Sequence, residues 1–114
     1  MSDHFKLLRI YTDEAAYFGD RKLFEEVASR ARDAKMAGAT VLQALFGFGH
    51  SAHQHRKHFL EDDQSLVIEI VDEDARLREF AASLADVHGI GLITLEAVEV
   101  LGGDSSLIAT AIKA

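Results

Sequence analysis

The side chains best suited to chemistry are concentrated between residues 47 and 64. Four of the six histidines in this 114-residue chain fall within nine positions, as His50, His53, His55 and His58. His55 and His58 would share one face of a helix, as would His50 and His53, and neutral imidazoles at such spacing suit zinc, copper or nickel. Histidine also changes charge near a pH of about 6.5. A divalent-metal-binding or pH-responsive loop is therefore one hypothesis.

The same segment favours an anionic ligand as the alternative. Gly47, Phe48 and Gly49 follow a predicted strand, and glycine lets the backbone approach a ligand closely. His55, Arg56 and the adjoining Lys57 could add charge-assisted hydrogen bonds to an anion. The glycines do not form a phosphate-binding fingerprint, because no GxGxxG and no P-loop lysine is present.

A catalytic role is not predicted. The chain has no cysteine, which excludes thiolate nucleophiles and disulfides. Ser51 lies near His55, but no GxSxG motif surrounds it and no third group orients the histidine. Acidic pairs such as Asp62-Asp63 are typical of solvated surfaces.

Composition predicts one globular domain over residues 1–114, with a small-residue tail from 102 to 114. Hydrophobic residues make up 48% and charged residues 27%, and the net charge of -7 disfavours nucleic acid as a partner. We find neither a signal-peptide pattern nor an apolar run long enough to enter a membrane, so the expected location is cytoplasmic.

Periodicity and turn residues predict four strands, over residues 5–12, 39–46, 65–71 and 92–101. Helix one is expected to take Asp20 as its N-cap, to run through Lys35 and to be stopped by Gly38. Helix two is expected to be capped by Asp72 and to end at His88-Gly89, with a buried stripe of Leu77, Phe80, Ala81, Leu84 and Val87. The order βαββαβ predicts an α+β, ferredoxin-like fold in which one antiparallel sheet carries both helices on one face.

The predicted strands are apolar on both faces, although two helices can cover only one. Leu8 and Ile10 point one way and Leu7 and Tyr11 the other, and the second and third strands repeat this excess. Self-association is the simplest cover for the second face. Arg9 and Glu69 interrupt that face on strands expected to be neighbours, which predicts a cross-strand ion pair.

Several segments together resemble the PII-like family catalogued as domain of unknown function 190. The most specific match is Gly38-Ala39-Thr40-Val41 through Gly47-Phe48-Gly49 and Ser51 to His55. The resemblance covers residues 5 to 101 and also includes Leu8-Arg9-Ile10-Tyr11, Val67-Ile68-Glu69-Ile70-Val71-Asp72 and Gly91-Leu92-Ile93-Thr94-Leu95-Glu96.

The resemblance implies a non-enzymatic signalling protein that assembles as a homotrimer. Adenine nucleotides would bind in clefts between subunits near Gly47, Phe48, Gly49 and His55, and the loop at 47–64 would reach a regulated transporter or enzyme. The chain departs from the family in having no proline, with Lys22 and Ser65 at the two usual positions. His50, His53 and His58 are also additions to the family pattern.

Overall fold

A computed structural model describes residues 4–44 and 65–103 of the chain. These residues form six strands and two helices. The elements in chain order are β1 (Phe5–Asp13), β2 (Tyr17–Phe18), β3 (Arg21–Lys22), α1 (Leu23–Asp33), β4 (Thr40–Gln43), β5 (Ser65–Glu73), α2 (Asp74–Ala82) and β6 (Leu92–Ala97).

The main sheet confirms the predicted ferredoxin-like fold. Its strand order is β4-β5-β1-β6, and every neighbouring pair is antiparallel. The two long strands, β1 and β5, lie side by side at its centre, with Arg9 directly opposite Glu69. The short strands β4 and β6 form the two edges.

Both helices pack on one face of this sheet, which we call the helix face. The strand residues on that face alternate with those on the other, so Leu8, Ile10, Ile68 and Ile70 all point toward the helices. α1 contributes Leu23, Val27 and Ala31, and α2 with its following turn contributes Leu77, Phe80, Leu84 and Val87. The predicted stripe of α2 is confirmed, with Ala81 half-buried at its margin.

A small hairpin, β2–β3, replaces the predicted loop before α1, and the Asp20 N-cap is wrong. Gly19 adopts φ 65° at the first position of a two-residue turn, where type II′ hairpins favour glycine, and Tyr17 pairs with Lys22. Asp20 is therefore a turn residue. α1 begins three residues later, with Lys22 as an N-cap that makes no side-chain hydrogen bond.

α1 ends at Asp33, two residues before the predicted end at Lys35, and the expectation that Gly38 stops it is also wrong, because the helix is already capped at Lys35. Lys35 adopts φ 62°, and the amides of Lys35 and Met36 donate to the carbonyls of Arg32 and Ala31 at 3.0 Å each. This is the hydrogen-bond pattern of a Schellman cap, formed here without glycine. Arg76 supports it from α2 by donating to the carbonyl of Lys35 at 2.8 Å.

Asp72 is the last buried residue of β5 and is not the N-cap of α2. The N-cap position falls on Glu73, which makes no side-chain cap. The buried Asp72 carboxylate instead accepts from the Glu73 amide at 2.7 Å, the Ala37 amide at 3.2 Å and Arg76 Nε at 3.1 Å. It thereby ties the end of α1 to the start of α2.

Other predicted boundaries also differ from the structure, and β1 and β5 extend to Asp13 and Glu73. α2 ends at Ala82 and continues as turns, although its apolar stripe extends to Val87. β4 begins at Thr40, one residue later than predicted, and its described part ends at Gln43. β6 ends at Ala97 because its partner β1 begins at Phe5, opposite the next residue, Val98.

Candidate functional site

The functional segment predicted from sequence starts and ends at one end of the sheet. The amide of Ala44 donates to the carbonyl of Ser65 at 2.8 Å, so the two residues that flank 45–64 are held together. All the predicted ligand residues lie between them and outside the described residues: Gly47, Phe48, Gly49, Ser51, His55 and Arg56. The predicted metal ligands His50, His53, His55 and His58 lie there as well.

The end of the sheet from which this segment starts, here called the loop end, has a rigid floor. Thr12 is fully buried and donates from Oγ1 to the carbonyl of Gly89 at 2.9 Å. Gly89 adopts φ 106°, and a Cβ there would lie 2.9 Å from Leu23 Cδ1. Any larger residue at 89 would therefore strain the backbone and would have to push the Leu23 side chain aside.

The polar rim of the loop end is mainly acidic among the described residues. Asp13 is buried and accepts from the Ala15 amide at 2.8 Å, while Glu14 approaches Gln43 Nε2 at 3.5 Å. Lys22 donates to the Glu14 carbonyl at 3.1 Å and lies 5.1 Å from the centre of the Tyr17 ring. The two carboxylates outnumber the Lys22 ammonium group, so these residues by themselves do not favour an anion.

The sheet face away from the helices, here called the open face, confirms the predicted ion pair and adds a third member. Arg9 donates from Nε to Glu69 at 3.2 Å and from Nη1 to Glu96 at 2.6 Å. The bonds to Glu96 and then to Glu69 raise the pKa of Arg9 above its ordinary value. Side chains alternate between the two faces along β6, so Glu96 lies on the open face. Thr94 is directly opposite Arg9, and Glu96 is therefore diagonal to Arg9. This alternation was available in the sequence.

The rest of the open face is largely apolar. Leu7, Tyr11, Val67 and Val71 are half-buried there, and Leu42 and Leu92 are 46% and 52% exposed at its two edges. Both described helices lie on the other face. Within residues 4–44 and 65–103 the open face therefore has no covering layer.

The described residues hold neither a cluster of three or more metal-ligating side chains nor a helix long and apolar enough to cross a membrane. A shallow cavity of about 280 Å³ lies beside the start of α2, lined by His4, Lys6, Glu73, Asp74 and Ala75. Lys6 already pairs with Asp74 there at 3.0 Å, and hydrogen bonds from Arg78 and Lys6 lower the pKa of Asp74. Because Lys6 and Asp74 are already paired with each other, the cavity is a poor ligand site.

Comparison with known proteins places most of the chain in one family. The family model for domain of unknown function 190, described as "Uncharacterized ACR, COG1993", matches residues 5–100. A UPF0166 protein of Aquifex aeolicus (strain VF5) is 36% identical over 98 residues, which cover 84% of this chain and 92% of that protein.

The fold has a solved counterpart. The structure of CPII from Thiomonas intermedia K12, bound to ADP, AMP and acetate, superimposes with a TM-score of 0.62 over 86% of this chain and 89% of that one. Identity between the two sequences is 19%, so the likeness concerns the fold.

Proposed function

The chain belongs to the family catalogued as domain of unknown function 190, and on that premise we propose that it is a PII-like regulatory protein. It acts without catalysis as a homotrimer. It binds an adenine nucleotide or a similar anionic effector in clefts between subunits, and it signals to a transporter or enzyme through residues 47–64. Its proposed place of action is the cytoplasm.

One observation carries this proposal: a sheet with the PII fold holds both ends of a long segment together at one end. The Ala44–Ser65 hydrogen bond fixes where the segment begins and returns. The CPII protein, which shares the fold, was solved with ADP and AMP bound. A rigid frame that presents a long polar segment suits a sensor, since binding and signalling residues lie disproportionately on loops fixed by a scaffold.

The charges at the loop end support a proposal in which residues 47–56, and not the described rim, donate hydrogen bonds to the anion. The described rim carries Asp13 and Glu14, which cannot solvate a phosphate. The donors proposed for it are the backbone amides of Gly47 and Gly49 and the side chains of His55 and Arg56. Ser51 adds a hydroxyl to the same proposed set.

The open face supports assembly. The open face carries half-buried aliphatic side chains, and neither described helix covers it. Such a surface is typical of one that a second subunit covers. The Arg9–Glu69–Glu96 cluster would then lie inside the assembly, where each charge already has a partner. Light scattering should give a trimer at micromolar concentration, and a monomer would refute this assembly.

A thermal-shift titration distinguishes the two ligand hypotheses. We expect ADP, AMP or ATP to raise the melting temperature, because a ligand of the folded state stabilises it by RT ln(1 + [L]/Kd), about 2.7 kcal/mol at 100 times Kd. Zinc is titrated in parallel, since the His50–His58 tract supports a metal- or pH-responsive protein as the alternative.

A triple variant sharpens the test. Replacing His50, His53 and His58 by Gln while keeping His55 should leave the nucleotide shift intact and remove any zinc shift. His55→Gln with the other three histidines intact is the matched control and should weaken nucleotide binding. If no nucleotide stabilises the wild-type protein and zinc does, the anionic-effector proposal is wrong.

A further inference from the structure

A shallow groove of about 250 Å³ lies between α2 and β6 on the helix face. Its aliphatic lining comes from β1, α2 and β6, and it is completed by one threonine and one arginine: Leu8, Ala81, Ile93, Leu95, Thr94 and Arg78. Arg78 is already paired with Asp74 at 2.9 Å, so the groove offers chiefly apolar contact. Ile93 and Leu95 are only half-buried in it. An aliphatic segment lying beside β6 would bury them further.

The backbone of β6 beside this groove also has room for a neighbour. β6 pairs with β1 on one side, and within residues 4–44 and 65–103 no strand lies on its other side. Exposed edges are normally charged or covered, because their unpaired N–H and C=O groups recruit other strands. The only charge among the six residues of β6 is Glu96, which is bonded to Arg9. A strand added at this edge would cover the backbone and the groove together.

Residues 104–114 follow on from this edge and lie outside the described residues. Their sequence is Asp-Ser-Ser-Leu-Ile-Ala-Thr-Ala-Ile-Lys-Ala. β-branched side chains recur at every second position, as Ile108, Thr110 and Ile112, with alanines between them. A period of two with β-branched residues on one side is typical of a strand that buries one face. The family model ends at residue 100, so it does not account for this segment.

Two glycines separate this pattern from the end of β6. Residues 98–101, Val-Glu-Val-Leu, continue the strand-forming sequence, and Gly102 and Gly103 follow them. Two strand-forming runs separated by two glycines are typical of a hairpin with a two-residue turn. Gly103 has φ 136°, in the range that favours glycine. Such a turn would direct residues 104–114 back along the outer edge of β6.

We infer that residues 104–112 pair antiparallel with the outer edge of β6 in the same chain and cover the groove beside α2. A two-residue turn at Gly102–Gly103 sets Leu101 opposite Asp104. Counting back from there places Thr110 opposite Leu95 and Ile112 opposite Ile93. Leu95 and Ile93 pack against the core on the helix face, and cross-strand neighbours share a face.

The register and the position of the groove agree, although they are independent of each other. A slip of one residue would turn every side chain of the added strand to the other face, so that the alanines would meet the groove. The turn length instead brings the β-branched residues to the helix face, where the groove lies. Residues 92–101 are also long enough to pair with all of 104–112.

The connection of the chain favours its own segment as the occupant. A segment joined by a short linker has an effective concentration on the order of millimolar, which a second copy has to exceed. The other segment outside the described residues, 45–64, follows β4 and returns to β5, on the far side of the sheet from β6. The inference concerns one chain and does not depend on the proposed effector or assembly.

Disulfide trapping tests the register, because the chain has no cysteine of its own. L95C with T110C is compared with L95C with A109C, a control that closes a loop of nearly the same length from the other face. A disulfide needs Cβ atoms about 3.5–4.5 Å apart, so the first pair should oxidise at least about tenfold faster. The product should run as a single chain on a non-reducing denaturing gel.

Three outcomes of this experiment would overturn the inference. Equal oxidation rates would show that the segment has no fixed position beside β6. Faster oxidation of the A109C pair would show that the alanines face the groove. Products of two or more chains at low protein concentration would identify another copy as the occupant. None of these outcomes touches the proposed ligand residues, so the proposed function would stand.

Hydrogen exchange at the β6 edge supplies a second measurement on the full chain. Ile112→Asp places an unpaired carboxylate against the groove, which is costly to bury. It should release the segment and speed exchange of the β6 amides that do not bond to β1 by at least about tenfold, since they lose their partners. Ala114→Asp is the matched control, because residue 114 lies beyond the inferred pairing. Unchanged exchange in Ile112→Asp would contradict the inference.

Discussion

The two faces of the main sheet are built by alternate residues of the same strands, yet they have different environments. On the helix face Leu8, Ile10 and Ile68 are 2% exposed or less. On the open face their sequence neighbours Leu7, Tyr11 and Val67 are only half-buried, although Leu7 and Val67 are also aliphatic. The difference shows that the described residues supply one covering layer for two apolar faces. The helix face is completed by the chain itself, and the open face is the surface proposed for association.

The charged residues of the two faces differ in the same way. Asp72 is buried on the helix face, where three donors from the connections around α1 and α2 surround its carboxylate. Arg9 and Glu69 on the open face keep 32% and 29% of their side chains exposed and share their charge with Glu96. The first group ties the connections of the two helices together, and the second remains in contact with solvent among the described residues.

The difference between the two faces should be largest when the adjacent leucines Leu7 and Leu8 on β1 are each truncated to alanine. Leu8→Ala removes a side chain that is 2% exposed and should lower the free energy of unfolding by about 2–5 kcal/mol, because it leaves a cavity in the core. Leu7→Ala is the matched control on the open face. It should cost much less at protein concentrations where the chain is monomeric. Urea unfolding at two protein concentrations measures both effects.

In the proposed trimer, Leu7→Ala should raise the dissociation constant of the assembly. Equal losses of unfolding free energy for the two variants at low protein concentration would show that the open face is also sealed within one chain. The division into a self-sufficient face and an association face would then be wrong.

Neutralising one carboxylate on each face should have the next largest effect. Asp72→Asn leaves buried donors without their charged acceptor and should destabilise the protein by about 2 kcal/mol. Glu69→Gln should change the melting temperature of the isolated chain less, since Arg9 keeps Glu96 and solvent reaches the site. Thermal melts of the two isosteric variants provide the measurement, and a greater loss for Glu69→Gln at low concentration would contradict this ranking.

Acid sensitivity should be the smallest effect, and it concerns the helix layer. Asp86 accepts two hydrogen bonds from Arg30, at 2.9 and 3.0 Å, and these lower its pKa from the ordinary 3.8. A folded-state pKa below the unfolded one stabilises the protein above about pH 4, and this contribution is lost as the pH falls through the lowered pKa. Asp86→Asn should therefore melt slightly below wild type at pH 7.

The two melting temperatures should converge as the pH is lowered from 4 toward the acid limit, because wild-type Asp86 is then protonated too. Asp33→Asn controls for the loss of a surface charge, since that side chain is 75% exposed and makes only a long ion pair among the described residues, with its neighbour Arg32 at 3.8 Å. A gap between wild type and Asp86→Asn that widens at low pH would contradict the expected direction of the pKa shift.

Much of the fold could be predicted because its signals are local. Strand alternation fixed the two faces and placed Arg9 and Glu69 on one of them, and the apolar stripe of α2 identified its buried residues through Val87. Boundaries were less predictable because they depend on competition between signals. Gly19-Asp20 is a hairpin turn as well as a helix start, and the hairpin forms because Tyr17 and Lys22 can pair.

The candidate site could be predicted only in part, since its predicted ligand residues fall in 45–64, outside the described residues. The contacts of the residues around that segment could not be predicted from the sequence. Nothing local to Thr12 or Gly89, which are far apart in sequence, indicates that a hydrogen bond joins them at the floor of the loop end. Glu96 was missed, although alternation along β6 places it on the face of Arg9, because its contact with Arg9 is diagonal across the paired first and last strands.

The sequence by itself determined the four strands of the main sheet, the presence of both helices, the two apolar faces and the family, since each depends on residue type and short-range spacing. Only the tertiary structure decided which groups from distant parts of the chain share a charge or a backbone group. It brought Asp72 to Ala37 and Arg76, joined Arg9 to both Glu69 and Glu96, and ended β6 where β1 begins. The physical reason is that a hydrogen bond or ion pair acts over a few ångströms of space, and the distance along the chain does not determine that separation.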